Sequence, residues 1–481
     1  MQRRTMLLSA AVMAALGSAS PLALAADQTM NVDVCIVGAG AGGVSAGMAS
    51  VDAGFKTVIL EKLGVIGGGG NYMEGTFAVG SRLQLKDNVG INVEKQFKRV
   101  MDFHHWRING KALNNWLKQT AATIDWMEQH GIKFEGVHTA FIDGNRTWHM
   151  FEGGHGSSLI KNFAQKIEAK GGQILTSTPA QSLIIDKNGT VTGVIAKNED
   201  GDKITINAKA VIIATGGFSG NPEMVDRYIG GWATRMVLRG SPAITGENIS
   251  LTLPLFTKFV NMDQFHSGPI IGKTHVNPAD VLNSGYGIQV NTSGNRYMDE
   301  NNTYVIKART TAQMTLDNTA WVIVDSDCSV LDKVIPKFDR LNSPYGKADT
   351  IEELCKQVGL PAEKVKKLVD EYNEKMKAGK LGEMNPPCTY KKPHPIAKAP
   401  FYAVPLQGGM TATFGGPLIN TKTEIQNLDG KSIPGLYAAG NSAGGIFFHN
   451  YAGGAQLGAA TVFGRVAGVE MANRAKKAAK K

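Results

Sequence analysis

The residues that could do chemistry begin with a glycine-rich turn near the start of the chain. An apolar run leads into Gly38, Gly40 and Gly43, and a second apolar run at 58–60 ends on Glu61. A G-x-G-x-x-G pattern followed by an acid about one βαβ unit later is the fingerprint of a dinucleotide site. Glycines let the backbone approach a pyrophosphate at a helix N-terminus, and the acid can bond a ribose hydroxyl. The spacing therefore predicts a bound dinucleotide.

A second glycine-rich segment, residues 434–441, lies near the other end of the chain and makes sense only together with the first. The run at 67–71 is too glycine-rich for the interior of an element and suits a loop against a cofactor. The 57 glycines among 481 residues exceed the usual share of about 7%. Because they cluster in such loops rather than in repeats, we interpret them as functional.

The elements that position these turns alternate in the α/β manner over residues 27–260. Helical periodicity and glycine stops predict helices at 113–131 and 157–171. Apolar, β-branched runs predict strands at 182–185, 191–197 and 204–207, and a buried strand at 210–213 that ends in a glycine turn.

Residues 261–407 change character. They mix short strands at 286–290 and 320–324 with a charged helix at 363–377 and a proline-rich exit. We therefore predict an α/β fold with a Rossmann-like dinucleotide-binding domain in two parts and an inserted α+β capping domain that holds the substrate. The parts are 27–260 and 408–475 for the dinucleotide-binding domain, 261–407 for the cap, and 476–481 for a basic tail.

The first 26 residues have the pattern of a signal peptide. Arg3 and Arg4 precede an apolar stretch at 6–16, and residues 23–25 form an A-x-A cleavage signal. Twin arginines favour the Tat route for folded, cofactor-loaded proteins, with the Sec route and a membrane anchor as alternatives. We expect a periplasmic protein that does not span the membrane when mature, since no later apolar run is long enough.

Charge and cysteine usage exclude several function classes. Without Arg3 and Arg4 the excess of basic over acidic residues falls from 10 to 8, which could steer an acidic partner or an anionic substrate. The chain shows no aromatic-interleaved basic stripe, so we expect no nucleic-acid partner. Four widely spaced cysteines encode neither a c-type haem nor a zinc site, and we expect no metal. Cys35 reads as a buried core residue, and a disulfide among Cys328, Cys355 and Cys388 stays open.

Taken together, segments 38–43, 214–218, 294–300 and 434–440 resemble the flavoproteins of the fumarate reductase, succinate dehydrogenase and 3-ketosteroid dehydrogenase superfamily. The similarity extends over nearly the whole chain after the signal peptide. It implies FAD, held non-covalently because no histidine lies near the 67–71 loop, and hydride exchange between flavin N5 and an activated carbon. With the fingerprint, it implies FAD contacts at Gly38, Gly40, Gly43, Glu61, Lys62, Gly69, Gly70, Asn71, Thr215, Gly216, Gly217, Glu247, Gly440, Asn441, Ala455, Gln456 and Leu457.

The chain departs from fumarate reductases at the substrate site. Where those enzymes carry a proton-donating arginine and a carboxylate-binding arginine, this sequence has Tyr304 and Tyr451. Ala412 replaces one histidine, and His266 is retained. Loss of an arginine fork removes bidentate recognition of a carboxylate, so a dicarboxylate such as fumarate is the less favoured alternative. We expect phenolic hydroxyl groups, instead of guanidinium groups, to face the flavin.

The two tyrosines resemble the 3-ketosteroid dehydrogenase branch. That resemblance implies that Tyr304 donates or accepts a proton, and that Tyr451 and the Ala455 amide form an oxyanion hole for a ketone. The match is partial, because alanines replace the proline and final glycine of that branch's loop.

Other roles for these residues stay open at this point. Tyr304 could be a packing residue, with Arg309 or Lys307 delivering the proton, Tyr451 could stack over the flavin, and His266 could be structural. The candidate catalytic residues are Tyr304, Tyr451, His266 and Arg309.

The sequence thus predicts an exported FAD-dependent reductase of a small molecule with a C=C bond conjugated to a carbonyl or carboxylate. Electrons would come from a separate donor, such as a cytochrome c or a quinol-linked protein, because the chain has no haem motif. The substrate would then serve as a respiratory electron sink. The reverse reaction, dehydrogenation of a ketone, is the alternative, and the large cap disfavours a simple flavin electron carrier.

Overall fold

The structure is a computed structural model that describes residues 28–140 and 144–478. The predicted signal peptide and residues 479–481 of the predicted basic tail lie outside the described residues. Among the helices of the described part, none combines the length and apolar character needed to cross a membrane.

The described helices follow the chain in this order: α1 (Ala41–Asp52), α2 (Arg82–Lys86), α3 (Val93–Phe103), α4 (Gly110–Gln129), α5 (Ser157–Ala169), α6 (Pro222–Tyr228), α7 (Glu247–Ser250), α8 (Ala279–Leu282), α9 (Tyr304–Met314), α10 (Leu331–Arg340), α11 (Ile351–Val358), α12 (Ala362–Lys377) and α13 (Ala455–Ala478).

The strands are β1 (Gln28–Val37), β2 (Thr57–Leu60), β3 (Gly75–Phe77), β4 (Phe134–Thr139), β5 (Arg146–Phe151), β6 (Gln173–Leu175), β7 (Ala180–Ile185), β8 (Val191–Lys197), β9 (Lys203–Ile213), β10 (Val237–Leu238), β11 (Phe259–Val260), β12 (Phe265–Ile270), β13 (Ile288–Asn291), β14 (Ala320–Val324), β15 (Gly346–Ala348), β16 (Phe401–Thr413), β17 (Gly416–Pro417), β18 (Glu424–Gln426) and β19 (Ser432–Ala438).

The main sheet has the strand order β18-β19-β9-β1-β2-β6, and β7 and β8 extend from β9. β19, β9, β1, β2 and β6 are parallel to one another, as the predicted α/β fold requires. β19 and α13 come from the far end of the chain, and α13 packs against α1. Both glycine-rich segments therefore reach the same edge of one sheet, which confirms the predicted fold class.

Two predicted strands, 204–207 and 210–213, form the single strand β9. The reason is its neighbour: β1 is ten residues long and pairs with β9 in parallel from Gln28↔Ile204 to Val37↔Ile213. The predicted helices at 113–131 and 157–171 correspond to α4 and α5. α4 begins earlier than predicted because the Asn109 side chain accepts a hydrogen bond from the Ala112 amide, 3.2 Å away.

A second sheet lies in the cap region and is organised around β16. This 13-residue strand pairs with β10, β12, β14 and β15, and β14 also pairs with β13. β16 runs across the predicted boundary at 407, and β10 precedes the predicted boundary at 260. The division into domains stays a prediction, but this sheet physically connects its parts.

Buried apolar residues form a large cluster around the main sheet and smaller clusters on the second sheet. All four cysteines are buried and free, so the disulfide that the sequence left open does not form. Cys35 lies in β1 with no exposed surface, as predicted.

Candidate active site

A cavity of about 400 Å³ opens where β1, β2 and β9 end. Its walls include Gly38, Glu61 and Thr215, each one or two residues beyond one of those strands. The volume falls in the range of ligand pockets, about 300–1,000 Å³. The carboxyl ends of parallel strands are where open α/β sheets bind ligands, so the cavity lies where the fingerprint predicts a dinucleotide.

Glu61 is buried and holds the fingerprint turn together. Its Oε2 accepts a hydrogen bond from the Ala39 amide and its Oε1 one from the Leu63 amide, both at 3.0 Å. Each carboxylate oxygen keeps a lone pair, so a ribose hydroxyl can still donate to it. Glu61 therefore orders the backbone around the site while facing the cavity.

Most of the predicted cofactor contacts line this cavity. They are Gly38, Gly40, Glu61, Lys62, Gly69, Gly70, Thr215, Gly216, Glu247, Gly440, Asn441, Gln456 and Leu457. Residues from seven separate stretches of the chain thus meet around one space, which no short-range pattern in the sequence requires.

The other predicted contacts lie behind the wall. A Cβ on Gly43 would collide with the Gly38 carbonyl oxygen, so this glycine lets α1 pack against the turn after β1. A Cβ on Gly217 would likewise collide with the Thr413 hydroxyl, which accepts a hydrogen bond from the Phe218 amide at 2.9 Å. Asn71 donates to the Ile66 carbonyl at 3.0 Å and closes its own loop. These residues support the cavity without lining it.

Lys62 and Glu247 form an ion pair across the cavity wall, with Nζ 2.6 Å from Oε1. Thr245 bonds to both, at 2.8 Å from Lys62 Nζ and 2.6 Å from Glu247 Oε1. Burial alone would raise the pKa of Glu247, but the hydrogen bonds from Lys62 and Thr245 hold it below its usual value. Glu247 is therefore charged and already paired with Lys62.

Buried polar atoms without partners test whether the cavity suits a polar cofactor. Thr215 Oγ1, Glu247 Oε2 and Gln456 Nε2 are buried and have no hydrogen-bond partner among the residues that the structure describes. All three residues line the cavity. Buried polar groups normally have hydrogen-bond partners, so these atoms indicate a ligand with hydroxyl, carbonyl or phosphate groups. The residues present fit a dinucleotide.

The opposite end of the cavity holds three of the predicted catalytic residues. Tyr304, Tyr451 and His266 all line it. The His266 ring centroid lies 4.4 Å from that of Tyr451 and 6.5 Å from that of Tyr304. Tyr304 is the first residue of α9, His266 comes from β12 and Tyr451 from the loop before α13. The structure therefore assembles the predicted cluster.

Burial sets the protonation of this cluster. It raises the pKa of Tyr304 to about 12, against a smaller lowering by Arg239. It raises the pKa of Tyr451 further still. It lowers the pKa of His266 to about 3, and Arg239 adds to that lowering. At neutral pH both phenols are protonated and the imidazole is uncharged.

Arg239 corrects the expectation that no guanidinium group faces this space. It lines the cavity beside the two tyrosines, and its Nη1 donates to Thr411 Oγ1 at 3.0 Å. Sequence reasoning missed it because it looked for arginines only at positions 304, 309 and 451. Gly268 and Gly409 make room for it, since a Cβ at either position would collide with the Arg239 side chain, but only the folded structure brings these residues together.

Arg309 lies elsewhere. Its guanidinium carbon is 4.9 Å from the centroid of the Phe265 ring and 5.8 Å from that of Trp232, and its Nη1 is 3.5 Å from His449 Nδ1. It is not among the residues that line the cavity. A residue five positions after Tyr304 is rotated by about 140° around a helix of 3.6 residues per turn, so α9 directs the two side chains differently.

The Ala455 amide is not free to polarise a substrate ketone. It donates a hydrogen bond to the Ala452 carbonyl oxygen, 3.0 Å away, and Ala455 lines a second, apolar cavity beside Phe77 and Trp116. The prediction that Tyr451 and the Ala455 amide together form an oxyanion hole is therefore wrong for the amide.

Asp299, Glu300 and Cys388 bring three potential metal-ligand atoms within 4.8 Å of one another. Their oxygens already have partners, however. Arg296 donates to both oxygens of Glu300 at 2.7 and 2.5 Å, and Thr389 donates to Asp299 at 2.6 Å. These residues therefore surround the buried Arg296–Glu300 ion pair, which lies just before α9.

Comparison with known proteins identifies the cofactor. A family model described as "FAD binding domain" matches residues 33–457, which is most of the chain. The matched range contains all of the residues that line the cavity except Ala460. The bound dinucleotide of this family is FAD.

The chain is also similar to proteins of this kind along nearly its whole length. It is 28% identical to the vinyl phenol reductase of Lactiplantibacillus plantarum over 88% of this chain and 92% of that protein. A solved structure of the open conformation of a flavocytochrome c3 fumarate reductase matches with a TM-score of 0.81 and 25% identity, over 93% of this chain and 79% of that one.

A 3-ketosteroid-Δ4-(5α)-dehydrogenase from Rhodococcus jostii RHA1, solved with 4-androstene-3,17-dione, shares the fold with a TM-score of 0.74 and 23% identity, over 95% of this chain and 99% of that one. The predicted resemblance is confirmed, and the dehydrogenase shows the same fold. The chain belongs to the family of the FAD binding domain and is an FAD-dependent oxidoreductase, similar to reductases of the fumarate reductase kind.

Proposed function

We propose that this protein reduces a C=C bond conjugated to a carbonyl or carboxylate group. The observation that carries the proposal is the cluster of Tyr304, Tyr451 and His266 at one end of the cavity whose other end holds the dinucleotide fingerprint. In this reaction, FAD in its reduced form supplies a hydride at N5. The chain must then hold the substrate, stabilise negative charge and deliver one proton.

Tyr304 is the proton donor in this proposal. Burial keeps its phenol protonated far above neutral pH, and Tyr304 lines the cavity from the first turn of α9, while the charge of Arg239 favours the phenolate that forms after proton transfer. The carbanion that forms beside a carbonyl is a much stronger base than a phenolate, so proton transfer from tyrosine to carbon is favourable.

Tyr451 and His266 position the substrate. Tyr451 packs against Phe414 and Phe447, with ring centroids 5.9 and 5.6 Å apart, which fixes its phenol at the cavity wall. The uncharged His266 ring packs against Tyr451, and its Nδ1 has no hydrogen-bond partner in residues 28–140 and 144–478. Both side chains can therefore hydrogen-bond a ligand without adding a second positive charge.

Export, location and electron supply belong to the same proposal. The twin arginines and the A-x-A segment support export to the periplasm by the Tat route. An exported reductase needs electrons from another protein, and a periplasmic cytochrome c or a quinol-linked donor would supply them. The reduced substrate then leaves as the end product of a respiratory chain.

The test is an anaerobic titration of the flavin-loaded protein, reduced with methyl viologen, against a panel of enones and enoates. The proposal expects rapid oxidation of the viologen by some members of the panel and slow turnover of their saturated products. Fully loaded protein that is oxidised by no acceptor would contradict it. Reduction of an oxidised dye by a saturated ketone would instead favour a ketone dehydrogenase. This is the second candidate function, because Tyr304 and Tyr451 resemble the tyrosine pair of the 3-ketosteroid dehydrogenases.

A further inference from the structure

The side chain of Arg239 lies in a cradle made by two strands. β10 pairs with β16 through Val237↔Gly409 and Leu238↔Met410, and the Arg239 amide continues the ladder by donating to the Met410 carbonyl at 2.8 Å. On the other side of β16, Gly409 pairs with Gly268 of β12.

The absence of side chains at these two glycines is what makes room for Arg239. A Cβ on Gly409 would collide with the Arg239 Cδ and Cγ, and a Cβ on Gly268 would collide with its Nη1. The guanidinium therefore crosses β16 and reaches the side on which His266 stands. This places its charge between Thr411 and the Tyr304–Tyr451 pair, against the cavity.

Arg239 has no acidic partner. Within residues 28–140 and 144–478, no carboxylate lies within 4.0 Å of its guanidinium, and the one hydrogen bond from the group goes to the neutral Thr411. The other cation of the cavity wall, Lys62, is paired with Glu247, and the buried Arg296 is paired with Glu300. Of the two lysine or arginine residues that line the cavity in the described part of the chain, Arg239 is thus the one without an acidic partner.

A largely buried guanidinium without a counter-ion is costly, and the cost is recovered when a ligand brings an anion. Its planar fork matches the two oxygens of a carboxylate. We propose that Arg239 binds the carboxylate group of the substrate, and that the substrate is an α,β-unsaturated monocarboxylate. The assignment rests on the proposed reductase function and names its substrate class.

The charges of the cavity wall limit the ligand to one carboxylate at this end. Arg239 is the unpaired cation, whereas the exposed Glu74 at the rim acts on Tyr304 as a negative charge. Because the other lining cation, Lys62, is already paired with Glu247, a second carboxylate would have no unpaired cation to bind it. Met73, Ile244 and Ala412 supply apolar wall for the rest of the molecule.

The same contact would assist the reaction. When a hydride adds to the β carbon, the π electrons of the C=C bond move toward the α carbon and the carboxylate oxygens, where Arg239 opposes the added negative charge. Transfer of the Tyr304 proton to the α carbon completes the saturated acid. One hydride from the reduced flavin and one proton from Tyr304 balance the addition of two hydrogens, and Tyr304 regains its proton from solvent.

The experiment compares acids with their methyl esters, using crotonate, 2-hexenoate and cinnamate as the pairs, together with fumarate. Wild-type protein should prefer each acid to its ester and should reduce fumarate slowly. Arg239→Gln should lower kcat/KM for the acids by about 100-fold and change the ester rates by less than about threefold. Arg239→Lys should recover part of the loss in KM. The control is Arg465→Gln, which removes a largely buried arginine that packs over Trp126 at 6.0 Å and leaves the cavity intact.

Binding gives a readout that does not depend on turnover. 3-Phenylpropionate should perturb the absorbance of the bound flavin in wild-type protein and in Arg465→Gln, but not in Arg239→Gln at equal flavin loading. If acids and esters lose activity equally in Arg239→Gln, or if flavin affinity falls instead, Arg239 serves the cofactor and the proposal is overturned. If no compound is reduced but 3-phenylpropionate still binds through Arg239, the reductase function fails and the carboxylate site stands.

Discussion

The imidazole of His266 packs against the phenol of Tyr451 with ring centroids 4.4 Å apart and an angle of 49° between the ring planes. Only 5% of the His266 surface is exposed, and its Nδ1 has no hydrogen-bond partner in the described part of the chain. Burial, with a contribution from Arg239, lowers its pKa from 6.5 to about 3. His266 is therefore a neutral group that supports Tyr451, and at neutral pH it is not an imidazolium that could act as a general acid.

This lowered pKa has a consequence for stability. Below pH 6.5 the unfolded chain binds a proton at His266, whereas the folded protein does not bind it until about pH 3. The free energy of unfolding therefore falls as the pH drops from 6.5 towards 3. Between pH 6.5 and 5 the loss is about 2 kcal/mol. We expect His266→Gln to lose less stability than wild-type protein over this range in urea unfolding. The exposed His138→Gln should behave like wild type, and identical pH dependence in all three proteins would contradict the assignment.

Tyr304→Phe removes the hydroxyl that we assign as proton donor. We expect kcat to fall by about 100- to 10,000-fold, with flavin loading unchanged, because only the transferred proton is lost. Tyr372→Phe is the matched control: its hydroxyl donates to the His394 carbonyl at 3.0 Å within the cap, away from the cavity. Single-turnover oxidation of the reduced flavin, measured by stopped flow, separates this step from substrate binding. Equal rates in the wild-type and Tyr304→Phe proteins would leave the donor elsewhere.

The pH profile of the same step distinguishes Tyr304 from Lys307. Burial raises the pKa of Tyr304 to about 12 but lowers that of Lys307, which donates to the Leu282 carbonyl, to about 8. An acid donates only below its pKa, so a tyrosine donor predicts a rate constant that stays level from pH 7 to about pH 10. A decline centred near pH 8 would instead point to Lys307.

Gly43 tests the packing of the fingerprint turn. A methyl group at this position would meet the Gly38 carbonyl oxygen and the Ala214 side chain, so α1 would have to move away from β1. We expect Gly43→Ala to lower the free energy of unfolding by about 1–3 kcal/mol and to weaken flavin retention. Gly382→Ala has nothing within 4 Å of the added Cβ and should cost nothing. Thermal unfolding of both variants, with and without added FAD, makes the comparison.

The sequence predicted those parts of the site that depend on local pattern. The turn after β1, Glu61 after β2 and the glycine turn after β9 each belong to a short segment whose composition requires a strand followed by a tight turn. Arg239 has no such signal. It follows a strand of two residues, and its role arises only because β10 and β12 pair with opposite edges of β16. Pairing between distant strands is set by the tertiary fold and leaves no local spacing to detect.

Arg309 shows the opposite error, in which nearness along the chain suggested nearness in space. It follows Tyr304 by five residues, yet it packs on Phe265 and Trp232 while Tyr304 and Lys307 take other faces of α9. The Ala455 amide was likewise matched by its position in a loop, and a hydrogen bond to Ala452 already occupies it. In both cases the residue type was suitable and the local geometry decided otherwise.

Glu61→Gln is the sharpest test of how the chain holds its cofactor. The carboxylate accepts from the Ala39 and Leu63 amides through different oxygens, and a glutamine must turn its NH₂ group toward one of these donors. One hydrogen bond is then replaced by repulsion, and one acceptor for the ribose is lost. Hydrogen bonds to a charged group contribute about 1.5–3 kcal/mol, so the Kd for FAD should rise by about 10- to 100-fold.

The fluorescence of FAD released on dilution measures this change. Asp370→Asn makes the same acid-to-amide change on the surface of α12, where Asp370 pairs with Lys366 at 2.5 Å, and should leave the Kd unaltered. A Glu61→Gln protein that retains its flavin as tightly as Asp370→Asn would mean that the ribose is bound without this carboxylate. The orientation of the dinucleotide along the sheet edge would then have to depend on Lys62 and Gln456 instead.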